Sequence, residues 1–449
     1  MQSELIRDIC KKADDMYEMM REQRRDFHKY AETGWLEIRT TSIIAARLKE
    51  LGYEVLTGRD VCLDSARMGL PSEEVLEEQY QRALAQGAIQ PYAEQAKNGF
   101  TGAIGILNCG EGPTIALRFD IDALGVYEEK GPMHRPSREG FCSVNDGMMH
   151  ACGHDGHAAI GLAVAELLME YHHLLCGKIK LIFQPAEEGV RGAKAIVEHG
   201  HLDDVDFTIG NHLGGSKDEA YQIAIPMGKT MATSKLDVYF EGQAAHAGGC
   251  PEKGRNAMLA ACTAVLNMHA IPRCSGGDTR INVGRMQAGS GRNVVCDRAK
   301  LEVEVRGAAT EVNQYMEQYV RQIAAAAAQM HDCTCHIVTM GASESLWSDE
   351  EMIERCETCC TRDLGLRIAP PKNKGGACED YAFMVNRVRE HGGKGLFFNT
   401  LTYAAGPAHS KIFDVAEENF PNAVKVFCTM VLELMHPEWE AAAAVSEEN

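Results

Sequence analysis

The sequence predicts an α/β protein, with a mixed sheet flanked by helices, that is interrupted by a smaller α+β domain. Segments of helical spacing alternate with short apolar strands in the first half of the chain. A βαββαβ order follows a polar break at Gly214–Asp218, and α/β character returns from about Ser343. The 449 residues are also too many for one hydrophobic core. We therefore expect a discontinuous large domain of residues 1–217 and 341–449 and a small domain of residues 218–340.

The elements of the large domain follow from the spacing of apolar residues. Apolar positions at i, i+3 and i+4 predict helices, and short apolar runs bounded by Gly or Pro predict strands. In chain order, we predict a helix at Glu4–Tyr30, a helix at Thr41–Leu51, strands at Gly102–Leu107 and Thr114–Arg118, a helix at Ala158–Tyr171, a strand at Lys178–Phe183 and a helix at Gly192–His199. The polar segment Val61–Asn98 interrupts this order and predicts a surface insertion with a helix at Ser72–Gln86.

The elements of the small domain alternate in a different order. We predict a strand at Ser234–Phe240, a helix at Asn256–His269, strands at Thr279–Met286 and Lys300–Val305, a helix at Glu311–Met330 and a strand at Thr334–Met340. This βαββαβ order is typical of a ferredoxin-like domain.

Charge and cysteine content limit the partners and the compartment. The 45 Lys and Arg against 64 Asp and Glu give a net charge of −19. This balance argues against nucleic acid and membrane as partners, because nucleic acid and anionic lipid need clustered basic residues. No segment approaches the roughly 20 apolar residues of a membrane helix. The odd count of 17 cysteines and the charged N-terminus favour free thiols in the cytoplasm over a disulfide scaffold.

The densest cluster of chemically versatile residues is Met149–His157. Cys152, His154, Asp155 and His157 fall within six residues, with two glycines that permit a tight backbone. A thiolate and imidazoles at this spacing can share a metal site. The alternative is a helix N-terminus capped by Asp155, but four ligand types in one turn favour the metal site.

A second cluster, Ile182–Gly189, places two adjacent carboxylates after a buried strand. Pro185 turns the chain before Glu187 and Glu188. Catalytic residues favour the carboxyl ends of strands in open α/β sheets. Adjacent glutamates can divide the work, because one can bind a metal while the other accepts a proton from water. The alternative is a helix start that favours acidic residues.

Three weaker signals accompany these clusters. His212 stands at a predicted strand end, His409 follows a Gly-Pro turn, and the strand before Asp122 ends in Asp-x-Asp. A lone histidine is more often structural than a ligand, and a carboxylate such as Asp122 can orient a ligating imidazole. The Cys356–Cys360 segment could be a redox or metal pair, but it lacks a second pair at zinc-ribbon spacing, so we interpret it as packing. Nucleophile-elbow, P-loop and dinucleotide motifs are absent from the sequence.

Together these motifs resemble the amidohydrolase branch of the two-metal carboxypeptidase family, which includes carboxypeptidase G and the auxin-conjugate hydrolases. The motifs are HACGHDGH, QPAEEG, NHLG, AAHAG, GRNVV and the late His409. The resemblance covers nearly the whole chain. A second set of segments is similar to the branch of the family that acts on p-aminobenzoyl-glutamate: Arg24–Glu32, Ser65–Pro71, Phe100–Gly102, His134–Pro136, Met286–Asn293 and the Val61–Asn98 insertion.

The resemblance assigns a role to each residue of a site. It implies two divalent metal ions, Zn or Mn, bound by Cys152, His154, Glu188, His212 and His409. Glu187 corresponds to the general base and Asp122 to a carboxylate behind the ligands. His246, in a small dimerisation domain, corresponds to a residue that stabilises the oxyanion in the partner's active site. Asn293 and Arg306 correspond to groups that hold the substrate carboxylate, although Glu304 stands where relatives commonly have Asp.

The function implied is metal-dependent hydrolysis of the amide bond of p-aminobenzoyl-glutamate to p-aminobenzoate and glutamate. The expected partners are this small acyl-amino-acid substrate and a second copy of the chain, bound through the small domain. Two alternatives stay open. One is a broader N-acyl-amino-acid or dipeptide amidohydrolase, and the other is a chain that is active only with a related partner chain.

Overall fold

A computed structural model describes residues 2–216, 218–371 and 378–436, which form two compact units. The large unit consists of the described parts of Met1–Gly228, Trp347–Asn373 and Phe383–Asn449. The small unit consists of the described parts of Lys229–Leu346 and Lys374–Ala382. The predicted domain limits, at 217/218 and 340/341, differ from the unit limits at 228/229 and 346/347, and the described part of Lys374–Ala382 groups with the small unit although it was predicted in the large domain. The roles assigned to the two domains stay predictions.

The described residues form the following elements. The helices are α1 (Gln2–Asp15), α2 (Tyr17–Lys29), α3 (Ile38–Leu51), α4 (Glu73–Ala85), α5 (Tyr92–Gln95), α6 (Arg135–Glu139), α7 (His154–Glu170), α8 (Ala193–Val197), α9 (Ala257–His269), α10 (Thr310–Met330), α11 (Glu350–Thr358), α12 (Ala382–Glu390) and α13 (Phe420–Met435). The strands are β1 (Glu54–Thr57), β2 (Ala103–Asn108), β3 (Thr114–Asp120), β4 (Lys178–Gln184), β5 (Phe207–Gly215), β6 (Ile223–Ala224), β7 (Ala232–Glu241), β8 (Thr279–Ala288), β9 (Arg298–Gly307), β10 (Thr334–Ser343) and β11 (Lys394–Thr402).

The large unit is built on a seven-stranded mixed sheet in the order β1-β2-β4-β3-β5-β11-β6. The four central strands β4, β3, β5 and β11 are parallel to one another, and the outer pairings are antiparallel. Strand β3 is buried along its whole length, as expected for a central strand of a covered sheet. Because the four parallel strands end at one edge, the loops that follow them meet there. The predicted mixed α/β fold class is confirmed.

The small unit contains a four-stranded antiparallel sheet in the order β10-β7-β9-β8. Strand β9 alternates between buried residues, such as Leu301 and Val303, and half-buried polar ones. The buried face packs with α9 and α10 in one hydrophobic cluster. Strand order and βαββαβ connectivity are those of the predicted ferredoxin-like domain. Over the described ranges of both units, none of the helices combines the length and apolar character that a membrane span requires.

Two predicted helices were wrong in their extent. The predicted helix Glu4–Tyr30 is two helices that meet at Met16, just after Asp14 and Asp15, which are poor helix formers. Helix α7 begins at His154 instead of Ala158. The first turn of α7 is polar in sequence and yet buried, so its apolar periodicity starts one turn late.

The Val61–Asn98 insertion is anchored to the large unit by hydrogen bonds to its backbone. The Trp35 indole donates to the carbonyl of Met68 at 2.7 Å, and the Arg191 guanidinium donates to the carbonyl of Gly69 at 3.1 Å. Leu63 N–H also donates to the carbonyl of Ala195 at 3.0 Å. Since Arg191 also donates to the carbonyl of Glu188 at 2.9 Å, the insertion is fixed to the turn that carries the paired glutamates.

Candidate metal centre

The candidate site lies at the carboxyl edge of the four parallel strands of the large unit. Asp122 follows β3, Glu187 and Glu188 follow β4, and His409 lies on the loop after β11. His212 was predicted at a strand end, but it lies inside β5, which continues to Gly215. The register pairs His212 with Asn399 on β11, whose side-chain amide donates to the His212 carbonyl at 3.3 Å.

The start of α7 brings Cys152 and His154 to this edge. Gly153 has a φ of +97°, a left-handed conformation that favours glycine and turns the chain into the helix. A Cβ on Gly156 would lie 2.6 Å from a Leu213 methyl carbon, so this glycine permits α7 to approach β5 closely. Gly153 and Gly156 therefore permit the backbone conformation and the close packing of α7, while Cys152 and His154 contribute side chains to the site.

Asp122 orients both sides of the candidate centre. Its Oδ1 lies 3.2 Å from Nδ1 of His154 and accepts the Glu187 N–H at 3.1 Å. Its Oδ2 accepts the Glu188 N–H at 3.0 Å. One buried carboxylate thus contacts the imidazole and the glutamate turn, which is the position predicted for it. An aspartate that accepts from Nδ1–H directs the Nε2 lone pair of His154 into the site.

The five predicted ligands come together in overlapping groups. Donor atoms of Cys152, Glu188 and His409 lie within 4.8 Å of one another, and so do those of His154, Glu187 and Glu188. Cys152 Sγ lies 3.5 Å from His212 Nε2, which joins His212 to the first group. His409 Nε2 lies 3.4 Å from Glu188 Oε1. The side chains that the motifs singled out thus surround one volume.

His157 and Asp155, the other two members of the densest cluster, have different partners. His157 Nδ1 hydrogen-bonds Asp120, and its Nε2 accepts the Leu213 N–H at 2.8 Å. Both ring nitrogens are therefore engaged within the protein, although His157 and Asp120 lie near His154 and His212. Asp155 points away from the centre and binds Arg24 and His28.

The donor set fits divalent metal ions of the zinc and manganese type. Within the described part of the chain, His154 Nε2 and Glu188 Oε1 are buried without a hydrogen-bond partner, a costly state that a bound cation would relieve. Burial raises the pKa of the Cys152 thiol to about 12. A nearby divalent cation is what would convert this thiol to a thiolate at neutral pH. Sulfur, nitrogen and oxygen donors together suit Zn²⁺ better than Mg²⁺ or Ca²⁺.

His212 is arranged as a neutral imidazole that could bind a metal ion. Its Nδ1 lies 2.9 Å from the carbonyl of Leu213, and since a carbonyl only accepts, this nitrogen carries the proton. The unprotonated Nε2 then faces Cys152. Burial, with the neighbouring His157, lowers the pKa of His212 to about 3, so the ring is neutral at pH 7.

A cavity of about 470 Å³ opens beside Cys152 and His212. Its lining combines the end of β5 with the loop after β11: Cys152, His212, Leu213, Gly215, Ser216, Ala404, Ala405, Gly406, Pro407, Ala408 and Phe413. Apart from Cys152, His212 and Ser216, these side chains are small or apolar, and the lining includes no Lys, Arg, Asp or Glu. The cavity therefore suits an uncharged group that is attached to whatever reacts at the metal centre.

The small unit carries the remaining predicted residues. Nδ1 of His246 accepts the N–H groups of Gly248 at 3.1 Å and Gly249 at 2.9 Å, so the ring proton is on the exposed Nε2. The Ala247 N–H donates to the Asn293 carbonyl at 3.0 Å, which joins the two predicted loops. Arg306 donates to Glu304 at 3.0 Å, so the glutamate that stands in place of the usual Asp pairs with this arginine.

Sequence reasoning missed two residues that support the site. Asp120, the first residue of Asp-x-Asp, is buried, binds Arg118 at 2.7 Å and lies 3.7 Å from His154 Nε2. Glu37 accepts the N–H of Ala186 at 2.8 Å, where Ala186 has a left-handed φ of +51° just before the paired glutamates. The Asp-x-Asp spacing could have indicated Asp120. Glu37 has no local signal, because its partner lies far along the chain.

The segment Cys356–Cys360 is helical, and its cysteines lie in the core. Cys356, Cys359 and Cys360 are all fully buried. The sulfur atoms of Cys356 and Cys360 lie 4.0 Å apart and belong to the main core of the large unit. These thiols contribute to packing.

Comparison with known proteins gives a family model and close relatives. The model described as peptidase family M20/M25/M40 matches residues 116–433. Indole-3-acetyl-aspartic acid hydrolase of Enterobacter agglomerans is 43% identical, over 94% of this chain and 96% of that protein. One of the subunits of p-aminobenzoyl-glutamate hydrolase from Escherichia coli (strain K12) is also 43% identical, over 91% and 94%. The solved structure of an aminobenzoyl-glutamate utilization protein from Klebsiella pneumoniae has a TM-score of 0.81 and 37% identity, over 96% and 98%.

Proposed function

The chain belongs to the peptidase family M20/M25/M40 and is a metal-dependent amidohydrolase, and from this premise we propose that it hydrolyses p-aminobenzoyl-glutamate to p-aminobenzoate and glutamate. The observation that carries the proposal is the convergence of Cys152, His154, Glu188, His212 and His409 beside Glu187. This geometry occurs in a chain that is 43% identical to two hydrolases of amino-acid conjugates. The names of both relatives describe an aromatic acyl group joined to an acidic amino acid.

The five converging side chains would bind two divalent ions, Zn²⁺ or Mn²⁺. Cys152 Sγ lies 3.5 Å from His212 Nε2 and within 4.8 Å of donor atoms of Glu188 and His409, so it would be a ligand together with these residues. Ions bound there would lower the pKa of water and polarise the substrate carbonyl. Asp122 would hold His154 in the tautomer that presents Nε2, and Arg191 would fix the Glu188 turn through the backbone.

Glu187 would act as the general base and acid. Its nearer carboxylate oxygen lies 4.0 Å from His154 Nε2, beside the donor set. From there it would take the proton of the attacking water and pass it to the leaving nitrogen. In p-aminobenzoyl-glutamate that nitrogen belongs to glutamate, because the broken amide joins the benzoyl carbonyl to the glutamate amine. The free arylamine of the p-aminobenzoyl group takes no part.

His246 would stabilise the oxyanion that develops on the substrate carbonyl. Its Nε2–H is a hydrogen-bond donor because the two glycine N–H groups occupy Nδ1. Donors of this type contribute about 2.7–4 kcal/mol to catalysis in comparable sites. The resemblance to the family implies that the histidine acts in the active site of a second copy of the chain, which the small unit would bind.

The two ends of the substrate would occupy different environments. Arg306 and Asn293, in the small unit, would hold the carboxylates of glutamate, with Arg306 forming charge-assisted hydrogen bonds. The cavity of small and apolar side chains beside Cys152 and His212 would receive the p-aminobenzoyl group. An acidic substrate can therefore bind to a chain of net charge −19, since the cations are local.

The proposal also includes the oligomeric state of the chain and its location in the cell. We expect a homodimer formed through the small unit, and a related second chain is an alternative because one relative is named as part of a multi-chain hydrolase. A cytoplasmic location fits the cysteines, since all 17 are free thiols in the structure.

The test is an assay of the purified chain, loaded with Zn²⁺ or Mn²⁺, on a panel of conjugates. Release of p-aminobenzoate from p-aminobenzoyl-glutamate, at a kcat/KM above that for N-acetyl amino acids and dipeptides, is the expected result. Indole-3-acetyl-aspartate belongs in the panel, because its hydrolase is an equally similar relative. A higher kcat/KM for that conjugate would reassign the substrate. If turnover appears only after a related chain is added, the active form is a complex of the two chains and not a homodimer.

Substitution of Ala405 with tryptophan tests which end of the substrate occupies the cavity. Ala405 lines the cavity, so an indole there should obstruct a large acyl group and spare a small one. We expect kcat/KM for p-aminobenzoyl-glutamate to fall about 10–200-fold, and that for N-acetyl-glutamate to change far less. Ala85→Trp, at an exposed position of α4, is the matched control. Equal losses with both acyl groups would contradict this orientation.

A further inference from the structure

An arginine that the proposed reaction does not use lies at the centre of a buried ion cluster. The Arg24 side chain, on α2, is fully buried and donates to three carboxylates. Nε bonds Asp155 at 2.8 Å, Nη2 bonds Asp414 at 2.9 Å, and Nη1 bonds Glu417 at 3.1 Å. These carboxylates are at most 4% exposed. Each nitrogen of the guanidinium therefore has its own acidic partner.

The buried carboxylates around Arg24 all have cationic partners. Glu128, Asp155, Asp414 and Glu417 pair with members of the set Arg24, Arg25, His28 and Arg135. Burial lowers the pKa of His28, but its hydrogen bonds to Asp155 and Glu128 raise the pKa to about 9, so the ring is a cation at pH 7. The cluster therefore meets the requirement that buried charges be paired.

The partners of Arg24 belong to two segments that carry metal donors. Asp155 directly follows His154 in the first turn of α7. Asp414 lies at the end of the loop that contains His409. A β-bridge between Ala404 and Val415 joins the two ends of this loop. The two segments meet directly in one backbone hydrogen bond, from His409 N–H to the Ala151 carbonyl at 2.8 Å. Arg24 adds a second connection, from behind the site.

Arg25 offers a natural comparison on the same helix. It donates to both oxygens of Glu417 at 2.9 Å and pairs with Glu139 at 3.1 Å. Among the described residues, its ion pairs involve neither Asp155 nor Asp414. Arg25 therefore binds the His409 side of the centre alone, while Arg24 binds both sides.

We propose that Arg24 is a positioning residue that sets the separation between Cys152 and His154 on one side of the metal centre and His409 on the other. A planar guanidinium can hold three carboxylates in fixed directions, whereas a lysine ammonium is a point charge on a flexible chain. Arg24 thereby determines the affinity for the ion that uses His409. The inference rests on the proposed function insofar as this function requires two bound ions.

The test compares Arg24→Lys with Arg25→Lys by equilibrium dialysis against Zn²⁺ and by metal analysis. In Arg24→Lys we expect the dissociation constant of the ion that uses His409 to rise about ten-fold or more, so that it becomes the weaker ion, with that of the other ion unchanged. Arg25→Lys should bind both ions like the wild type. Circular dichroism of the metal-free proteins checks that each variant is folded. A general structural defect would lower the affinity for both ions. Loss of affinity for one ion alone therefore indicates a positioning role.

Asp414→Asn provides a second variant, which removes a partner of Arg24 and keeps Arg24 itself. It should reproduce the selective loss of the weaker ion. Wild-type affinities in Arg24→Lys and in Asp414→Asn would overturn the proposal, and so would equal losses in Arg24→Lys and Arg25→Lys. Wild-type protein that binds neither Zn²⁺ nor Mn²⁺ in the same dialysis would overturn the proposed function itself, and the positioning role with it.

Discussion

Replacement of Glu187 with glutamine is expected to lower kcat by about 10²–10⁴-fold, the usual contribution of a general base. The amide has the size of the carboxylate but cannot accept the proton of the attacking water. The backbone should not move, because the Glu187 N–H donates to Asp122 and the substitution leaves this bond in place. Both metal ions should therefore remain bound. Steady-state kinetics together with metal analysis of the same sample provide the measurement.

Glu188→Gln is the informative comparison with Glu187→Gln, because the two residues are adjacent glutamates whose roles the sequence alone does not distinguish. Glu188 Oε1 is buried, lies 3.4 Å from His409 Nε2 and makes no hydrogen bond within the described residues, so we expect it to be a ligand. We expect Glu188→Gln to lose metal as well as activity. Glu198→Gln, at an exposed position farther along the same segment, should change neither. Metal loss in Glu187→Gln with metal retention in Glu188→Gln would exchange the two roles.

Part of the expected ligand set belongs to local patterns, whereas His212 and His409 entered it only through the resemblance to the family. Cys152 and His154 occur in one compact motif, and Glu187 and Glu188 directly follow an apolar strand. Parallel strands then bring their carboxyl ends to one edge, so residues far apart in sequence meet without any further signal. The helices and strands of the small unit were predicted to within a few residues for a similar reason, since strands such as β9 alternate strictly in burial.

The surroundings of the ligands could not be predicted in the same way. Arg24 binds Asp155 and Asp414, which are separated from it by 131 and 390 positions in the sequence. A buried ion pair of this kind leaves no periodic pattern in the sequence. The start of α7 was missed because His154 and Asp155 are buried by polar contacts instead of apolar ones. The Val61–Asn98 insertion is polar in composition, and its anchoring bonds use backbone carbonyls that any residue offers.

Replacement of Cys152 with serine is expected to weaken metal binding by at least about 100-fold. Substitution of a residue that only orients a ligand typically costs 10–100-fold in affinity, so loss of a direct ligand should cost more. A serine hydroxyl stays protonated, whereas the thiol can ionise when a divalent cation approaches. The sulfur lies 3.5 Å from His212 Nε2 and beside Glu188 and His409, so both ions should be affected. Metal analysis after dialysis measures the loss.

Cobalt substitution identifies the sulfur directly, because a thiolate bound to Co²⁺ gives a charge-transfer absorption that a hydroxyl does not. We expect this absorption in the wild type and in Cys109→Ser, a control at a thiol outside the candidate ligand groups, but not in Cys152→Ser. Cys152→Asp should recover part of the metal affinity, since a carboxylate can also bind Zn²⁺ or Mn²⁺. Wild-type stoichiometry and affinity in Cys152→Ser would remove Cys152 from the ligand set. The centre would then depend on nitrogen and oxygen donors alone, and the preference for zinc over harder cations would lose its main physical basis.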